Sequence, residues 1–433
     1  MIESITKYVD VLTPTKPYST DQGCGALSAL ALLFIQRYHT QSMIRTSIVR
    51  IKTLHRHLLM STSSSHPTVL TTQNKNATIM TLNRPKKLNS LTLQMVRELD
   101  QALTFGKHSS CLIMDGAGGK AFCAGGDVAT VRAAGLSDDA SLTRDFFFEE
   151  YRLNKKIGDV NKTIPQVSIW NGITMGGGVG VSIHGKYRVA TEKSLFAKPE
   201  TGIGLFPDVG ASVFLSEMPG CTGEYIALTG ARLKANDLIY AGLSTHYVSS
   251  EMIPDLYESL SNVSVSRDQI NAVQDVLDNY QKQTDPIDVN DGIFGKHRTT
   301  IDTAFSKHTV EEIVATLHEI SLSSTSTKET QQFATETLQS LQNMSPTSLK
   351  ITLQQVRRAK KGMSLGDALK MEYRICQTLM KNTESDFYEG IRAVLVDKDR
   401  NPKWNPKTLE EVIDEEVERH FQHLVTDEEL HFD

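Results

Sequence analysis

A chain of 433 residues with 39% hydrophobic and 22% charged residues has the balance of an ordinary globular protein, and is long enough for more than one structural unit. Its net charge of −5 is unevenly spread: residues 1–66 hold seven Lys/Arg against three Asp/Glu, so the remainder stands at −9 and is a poor general binder of nucleic acid. Five scattered cysteines with no CxxC pair argue for a reducing compartment, and against a disulfide framework or a zinc site.

Near the start, the apolar run Gly25–Ile35 is too short to span a bilayer comfortably, and Asp21 with no basic run before it suits a secretory signal poorly. No Asp or Glu occurs from Gln22 through Arg97. Within that stretch the segment beginning at Met43 is basic and Ser/Thr-rich. Ile44, Ile48, Ile51, Leu58 and Leu59 recur at helical spacing with Arg45, Arg50, Lys52 and Arg56 between them. This is the composition of a mitochondrial transit peptide, and it predicts a matrix protein whose residues 1–66 are an N-terminal extension. The competing reading is a tail of chance composition. The C-terminal His431-Phe432-Asp433 is not a peroxisomal address.

After His66 the text becomes that of a folded domain. Asn76–Leu82 reads as a strand closed by Asn83-Arg84-Pro85, Leu91–Phe105 as an amphipathic helix, and Cys111–Met114 as a buried strand. A helix over Phe146–Ile157, strands over Gln166–Trp170 and Tyr187–Ala190, and helical text from Val213 complete an α/β pattern over residues 67–262. Strand-like runs then vanish. Gln269–Gln281, Val310–Ile320, Lys328–Gln342, Leu349–Ala359 and Leu365–Met380 read as helices of a C-terminal region spanning 263–433. Its acidic end, Leu409–Asp433, reads as a solvated helix with a loose terminus.

Three sequence blocks carry chemistry. Gly176-Gly177-Gly178 opens an apolar segment, so that bare backbone N–H groups stand at a helix start with no side chains in front of them. Ala124-Gly125-Gly126-Asp127 forms a second glycine turn after a strand, and Glu200 and Asp208 follow in turns bracketed by Pro and Gly. Two sets of backbone donors and two carboxylates suit acyl chemistry that needs neither a metal nor a serine nucleophile. Cys123 and His184 read as packing residues, and Gly116–Ala121 lacks the glycine and Ser/Thr positions of a phosphate-binding loop.

NRPKKLNSL (Asn83–Leu91), AFCAGGD (Ala121–Asp127), NGITMGGGVGVSIHG (Asn171–Gly185) and FAKPETGIGLFPDVG (Phe196–Gly210) resemble the crotonase superfamily of acyl-CoA enzymes, specifically its thioester-hydrolysing branch. The likeness continues through SPTSLKIT, MEYR and DFYEGIRAVLVDKDRNPKW, and covers about residues 70–410. It implies a crotonase-like ββα spiral core with a C-terminal helical region. It also implies hydrolysis of 3-hydroxyisobutyryl-CoA to 3-hydroxyisobutyrate and CoA, a step of valine breakdown. On that basis Gly126 and Gly177 would hold the thioester oxygen. Glu200 would be the main catalytic carboxylate, as nucleophile or as base on water. Asp208 would bind the substrate hydroxyl or orient water, and Glu150 would contact substrate. Lys86 and Lys87 would lie toward the CoA end, unless they are simply solvated. The resemblance implies no metal, and no cofactor beyond the CoA of the substrate. It implies no membrane partner, and no nucleic acid unless the chain is recruited to the mitochondrial ribosome; homo-oligomerisation stays open. The alternatives are an enoyl-CoA hydratase/isomerase and a non-catalytic subunit of the mitochondrial ribosome. Against the first, Gly180 stands where hydratases carry their second glutamate.

Overall fold

The apolar runs read at Cys111–Met114 and Gln166–Trp170 become buried strands. In the computed structural model, which describes residues 67–360 and 362–432, nine strands form two sheets. The larger has six strands: β1 (Val69–Asn74), β2 (Ala77–Leu82), β3 (Cys111–Gly116), β5 (Gln166–Trp170), β7 (Tyr187–Ala190) and β9 (His246–Tyr247), side by side in that order. β1 and β2 form an antiparallel hairpin around Lys75, which takes a left-handed φ of 49°. Every later neighbour pairs in parallel, with Ala77 opposite Cys111 and Val167 opposite Tyr187.

The smaller sheet is wholly parallel: β4 (Ala121–Cys123), β6 (Ile173–Met175) and β8 (Leu195–Ala197), with β6 in the middle. Each of its strands ends directly in one of the sequence blocks singled out above. β4 runs into Ala124-Gly125-Gly126, β6 into Gly176-Gly177, and β8 into Lys198-Pro199-Glu200. Loops at the carboxyl ends of parallel strands converge, and so the fold brings these three blocks together.

Strand alternation sorts the core into two sides. Leu112 and Met114 of β3 face the main core, whereas Cys111 and Ile113, with Val167, Ile169 and Val189, face a second cluster. That second face is covered by the helices Ile253–Ser261 and Gln269–Gln283 through Leu256, Leu260, Val273 and Leu277. The main core continues without a break into the C-terminal helices, through Phe294, Ile313, Leu349, Tyr373 and Phe387. The segment from Pro67 onward is one compact unit.

Two expectations need correction. The first strand of the domain is β1, before the strand read at Asn76–Leu82. The C-terminal stretch is not one solvated helix: it holds the short α-helix Asp414–Arg419 and a 3-10 turn at Thr426–Glu428, and Val412, Val417, Phe421 and Leu430 anchor it in the main core. The basic segment from Met43, like all of residues 1–66, lies outside the described residues.

Candidate active site

The two glycine turns face each other. A Cβ built on Gly125 would lie 4.0 Å from Gly177 N, and one on Gly176 would lie 3.9 Å from Gly126 N. Gly125 has φ of 108° and Gly176 has φ of 48°, conformations that an L side chain resists. Gly126 forms a parallel bridge with Leu91, in which Leu91 N donates to Gly125 O and Asp127 N donates to Leu91 O. In such a bridge the N–H of Gly126 itself points away from Leu91. Gly177 is the first residue of the helix Gly177–Ile183, where an N–H has no intrahelical acceptor. The two N–H groups thus lie close together at turns that favour glycine.

The motif Asn83–Leu91 buttresses this arrangement. Asn89, fully buried with φ of 57°, donates to Ala117 O (3.0 Å) and Ala121 O (2.9 Å) and accepts from Arg84 N (2.9 Å). Arg84 reaches Asp127 Oδ2 at 3.0 Å and so ties the turn to the glycine loop. Lys86 and Lys87, in the same turn, are exposed and do not line the cavity described below.

Three buried carboxylates gather at the same place: Glu150 (1% exposed), Glu200 (4%) and Asp208 (5%). Glu150 comes from the long helix Ser141–Val160. Its Oε1 packs against Gly177, so a methyl at residue 177 would displace it, and this oxygen has no hydrogen-bond partner. Burial, with the charge of Asp208 added, pushes the Glu150 carboxyl well above the usual range. Tyr151, one residue along, donates to Asp208 Oδ2 at 3.0 Å. Between the carboxylates sits the ammonium of Lys198, 2.8 Å from Glu200 Oε1, 3.4 Å from Asp208 Oδ1 and 3.2 Å from Asp208 O, with no exposed surface. Burial raises the Glu200 carboxyl to about 7; Lys198 opposes that rise and Asp208 adds to it. Neither Glu200 oxygen has a hydrogen-bond partner, and Oε1 meets Lys198 as an ion pair.

Asp208 is held by its backbone as well. Val209 and Gly210 both take left-handed φ values (61° and 83°), a strained conformation for the β-branched valine. Two C-terminal helices grip this turn. Glu372 accepts from Gly210 N (2.6 Å), Ser212 N (2.9 Å) and Ser212 Oγ, and Gln355 Nε2 donates to Pro207 O. His184 Nε2 donates to Val209 O at 2.7 Å, and burial pulls its imidazole down to about 4, so it is a packed neutral histidine. Cys123 is packed against Gly178, and burial pushes its thiol up to about 12.

A cavity of about 460 Å³ opens onto these groups, lined by Gly125, Gly126, Gly176, Gly177, Glu150, Glu200 and Asp208. Phe146, Phe147 and Leu205 form its apolar wall, and Met344 and Leu395 close it from the C-terminal region. Glu150, Glu200, Asp208, Gly126 and Gly177 thus meet in one cavity, and only Lys86 and Lys87 lie apart. The polar and charged groups that sequence reasoning missed are Lys198, Tyr151 and Glu372. Lys198 adjoins Pro199-Glu200, but a lysine in a turn reads as solvated until the fold closes over it. Among the described residues no group of three or more His, Cys, Asp or Glu could hold a metal ion.

The enoyl-CoA hydratase/isomerase family profile matches residues 77–421. The mitochondrial 3-hydroxyisobutyryl-CoA hydrolase of Xenopus tropicalis is 44% identical over 389 residues, covering 89% of this chain and 97% of that protein. The Homo sapiens protein of the same name is 43% identical over 380 residues, covering 87% and 94%. Among solved structures, a carnitinyl-CoA dehydratase from Mycobacterium thermoresistibile superposes with a TM-score of 0.74 at 36% identity, over 85% of this chain and 99% of that one. An enoyl-CoA hydratase from Rhodobacter sphaeroides gives 0.72 at 33% identity, over 84% and 100%. The chain belongs to the enoyl-CoA hydratase/isomerase family.

Proposed function

We propose that the protein hydrolyses the thioester of 3-hydroxyisobutyryl-CoA, releasing 3-hydroxyisobutyrate and CoA, and that it does so in mitochondria. The names of its relatives support the substrate and the compartment. The acid-free basic segment after Met43 supports the compartment independently.

In this reading the thioester carbonyl oxygen lies between the N–H groups of Gly126 and Gly177. Negative charge grows on that oxygen as the carbonyl is attacked, and preorganised donors in a dry site contribute about 3–4 kcal/mol each in related chemistry. Glu200 supplies the attack. Its carboxylate either adds to the carbonyl, giving a mixed anhydride that water then cleaves, or removes a proton from the water that adds. A carboxyl titrating near neutrality suits either course, because it is sufficiently ionised to act and sufficiently basic to take a proton. Asp208, fixed by Tyr151 and Lys198, is placed to accept the substrate hydroxyl or to orient water. CoA enters as part of the substrate, and the chemistry calls for no further cofactor.

The observation that carries hydrolysis over hydration is at Gly180. Hydratases of the family carry their second glutamate where Gly180 stands, and a Cβ at residue 180 would lie 2.6 Å from Val209 Cβ, so that position holds no acid and has no room for one. Purified protein should release CoA from 3-hydroxyisobutyryl-CoA, as read by a thiol reagent, and should leave crotonyl-CoA unhydrated. Hydration of crotonyl-CoA without thioester cleavage would overturn this assignment in favour of a hydratase.

A further inference from the structure

Lys198 is a costly residue at its position. A lysine with no exposed surface loses its hydration, and such a charge persists only where partners replace the water. Here Glu200 and Asp208 do so, and among the described residues Lys198 is the only cation within ion-pair distance of either. Yet Lys198 does not line the cavity; the two carboxylates do, with the ammonium behind them. The ammonium therefore acts on the reaction only through the carboxylates.

We propose that Lys198 is a positioning residue for the thioester hydrolysis: clamped behind the cavity wall between Glu200 and Asp208, its ammonium holds Glu200 charged and its carboxylate fixed in the cavity lining. This rests on the function assigned above. Charge balance around the clamp requires it. The loop 207–210 contributes Asp208, the helix Ser141–Val160 contributes Glu150 and the neutral Tyr151, and the helix Leu365–Lys381 contributes Glu372 and the neutral Cys376. The helix leading to His184 adds only a neutral imidazole, and Arg232 stands elsewhere in the cavity lining. Four carboxyl groups thus share one buried ammonium. Its own proton is held more tightly than usual: burial favours loss of that proton, and Glu200 and Asp208 together outweigh burial.

The test is the pH profile of kcat/KM for CoA release by wild type, Lys198→Met and Lys198→Arg. Lys198→Met keeps the length and removes the charge, so Glu200 should need a higher pH to ionise. The acid limb should move upward by at least about one pH unit, a tenfold loss below it that recovers at higher pH. Lys198→Arg should keep the wild-type limb. An even loss across all pH values with an unmoved limb would mean that Lys198 only packs, and would overturn the proposal. Should neither variant fold, the wild-type protein labelled with ε-13C lysine decides the question, with the Lys198 resonance identified by its displacement in Glu200→Gln. An ammonium that persists through the titration of Glu200 supports the clamp, and a neutral amine near pH 7 overturns it. That measurement needs no turnover. A wild-type protein that releases no CoA would defeat the functional reading while leaving the ionic state of Lys198 to be read on its own.

Discussion

Glu200 combines features that rarely coincide in a residue with only a structural role. It is buried, it lines a cavity with neither oxygen hydrogen-bonded, and its carboxyl is raised to about 7. Perturbed carboxyls of this kind cluster where proton transfer or nucleophilic attack is the task. Glu200→Gln preserves shape and removes both the nucleophile and the base, so steady-state CoA release should fall by about 10²–10⁴-fold. Asp208→Asn should also slow release, and more for 3-hydroxyacyl-CoAs than for the matching plain acyl-CoAs, if its carboxylate reads the hydroxyl. Equal losses on both substrate sets would move Asp208 to a role with water alone. Glu200 and Asp208 were legible through the block FAKPETGIGLFPDVG and its family resemblance, since alone each reads as a solvated carboxylate in a turn. Lys198 was not, since its burial depends on Glu150, Tyr151 and Glu372, which arrive from helices distant in sequence.

Among elements, the small parallel sheet makes the site, and it was the least visible part of the sequence. β4, β6 and β8 have three residues each, too few for alternation to register, whereas the strands Cys111–Gly116 and Gln166–Trp170 stand out as continuous apolar runs. What marked the small sheet was the glycines at its strand ends, and their reasons differ. Gly176 is required by its backbone conformation, Gly177 by Glu150, and Gly178 by close approach to β4. A Cβ on Gly178 would lie 2.6 Å from both Cys123 Cβ and Cys123 O, and the backbone atom cannot rotate aside. Gly178→Ala should therefore push the helix Gly177–Ile183 off β4 at a cost of about 1–3 kcal/mol, measured by denaturant unfolding. Gly366→Ala is the control. It lies in the first turn of the helix Leu365–Lys381, its nearest contact would be an ordinary 3.5 Å, and alanine favours helix by about 0.5–1 kcal/mol. Equal stability of the two variants would show that the glycine run is not a packing requirement.

At the scale of the whole molecule, the helical C-terminal part completes the site through Met344, Gln355 and Glu372, and its own end is anchored by Val417 and Phe421. Helices there were legible from periodicity; their reach into the site was not, because one buried glutamate in MEYR resembles any helical glutamate. Glu372 gives that reach a measurable signature. Burial raises its carboxyl from 4.5 to about 7, against the hydrogen bonds from Ser212 and Gly210. Between those two values the folded state binds this proton and the unfolded state does not, so stability falls as pH rises through that window and the loss is complete above about 7. The depressed histidines act in the opposite sense: His184, lowered to about 4, and His246, His297 and His420 take up protons on unfolding, so their contribution grows as pH rises toward 6.5. A raw melting curve against pH mixes the two effects, and comparison with Glu372→Gln separates them, because the histidines are common to both proteins. The glutamine variant leaves an amide N–H₂ facing N–H donors, a cost that does not change with pH. Its deficit relative to wild type should be largest near pH 5 and shrink toward pH 8, by on the order of 3 kcal/mol at most. Paired thermal or denaturant melts across that range measure the difference. A deficit constant with pH would mean that Glu372 carries the same charge folded and unfolded, and that the grip of the C-terminal helices on the Asp208 turn is not made through a carboxyl poised near neutrality.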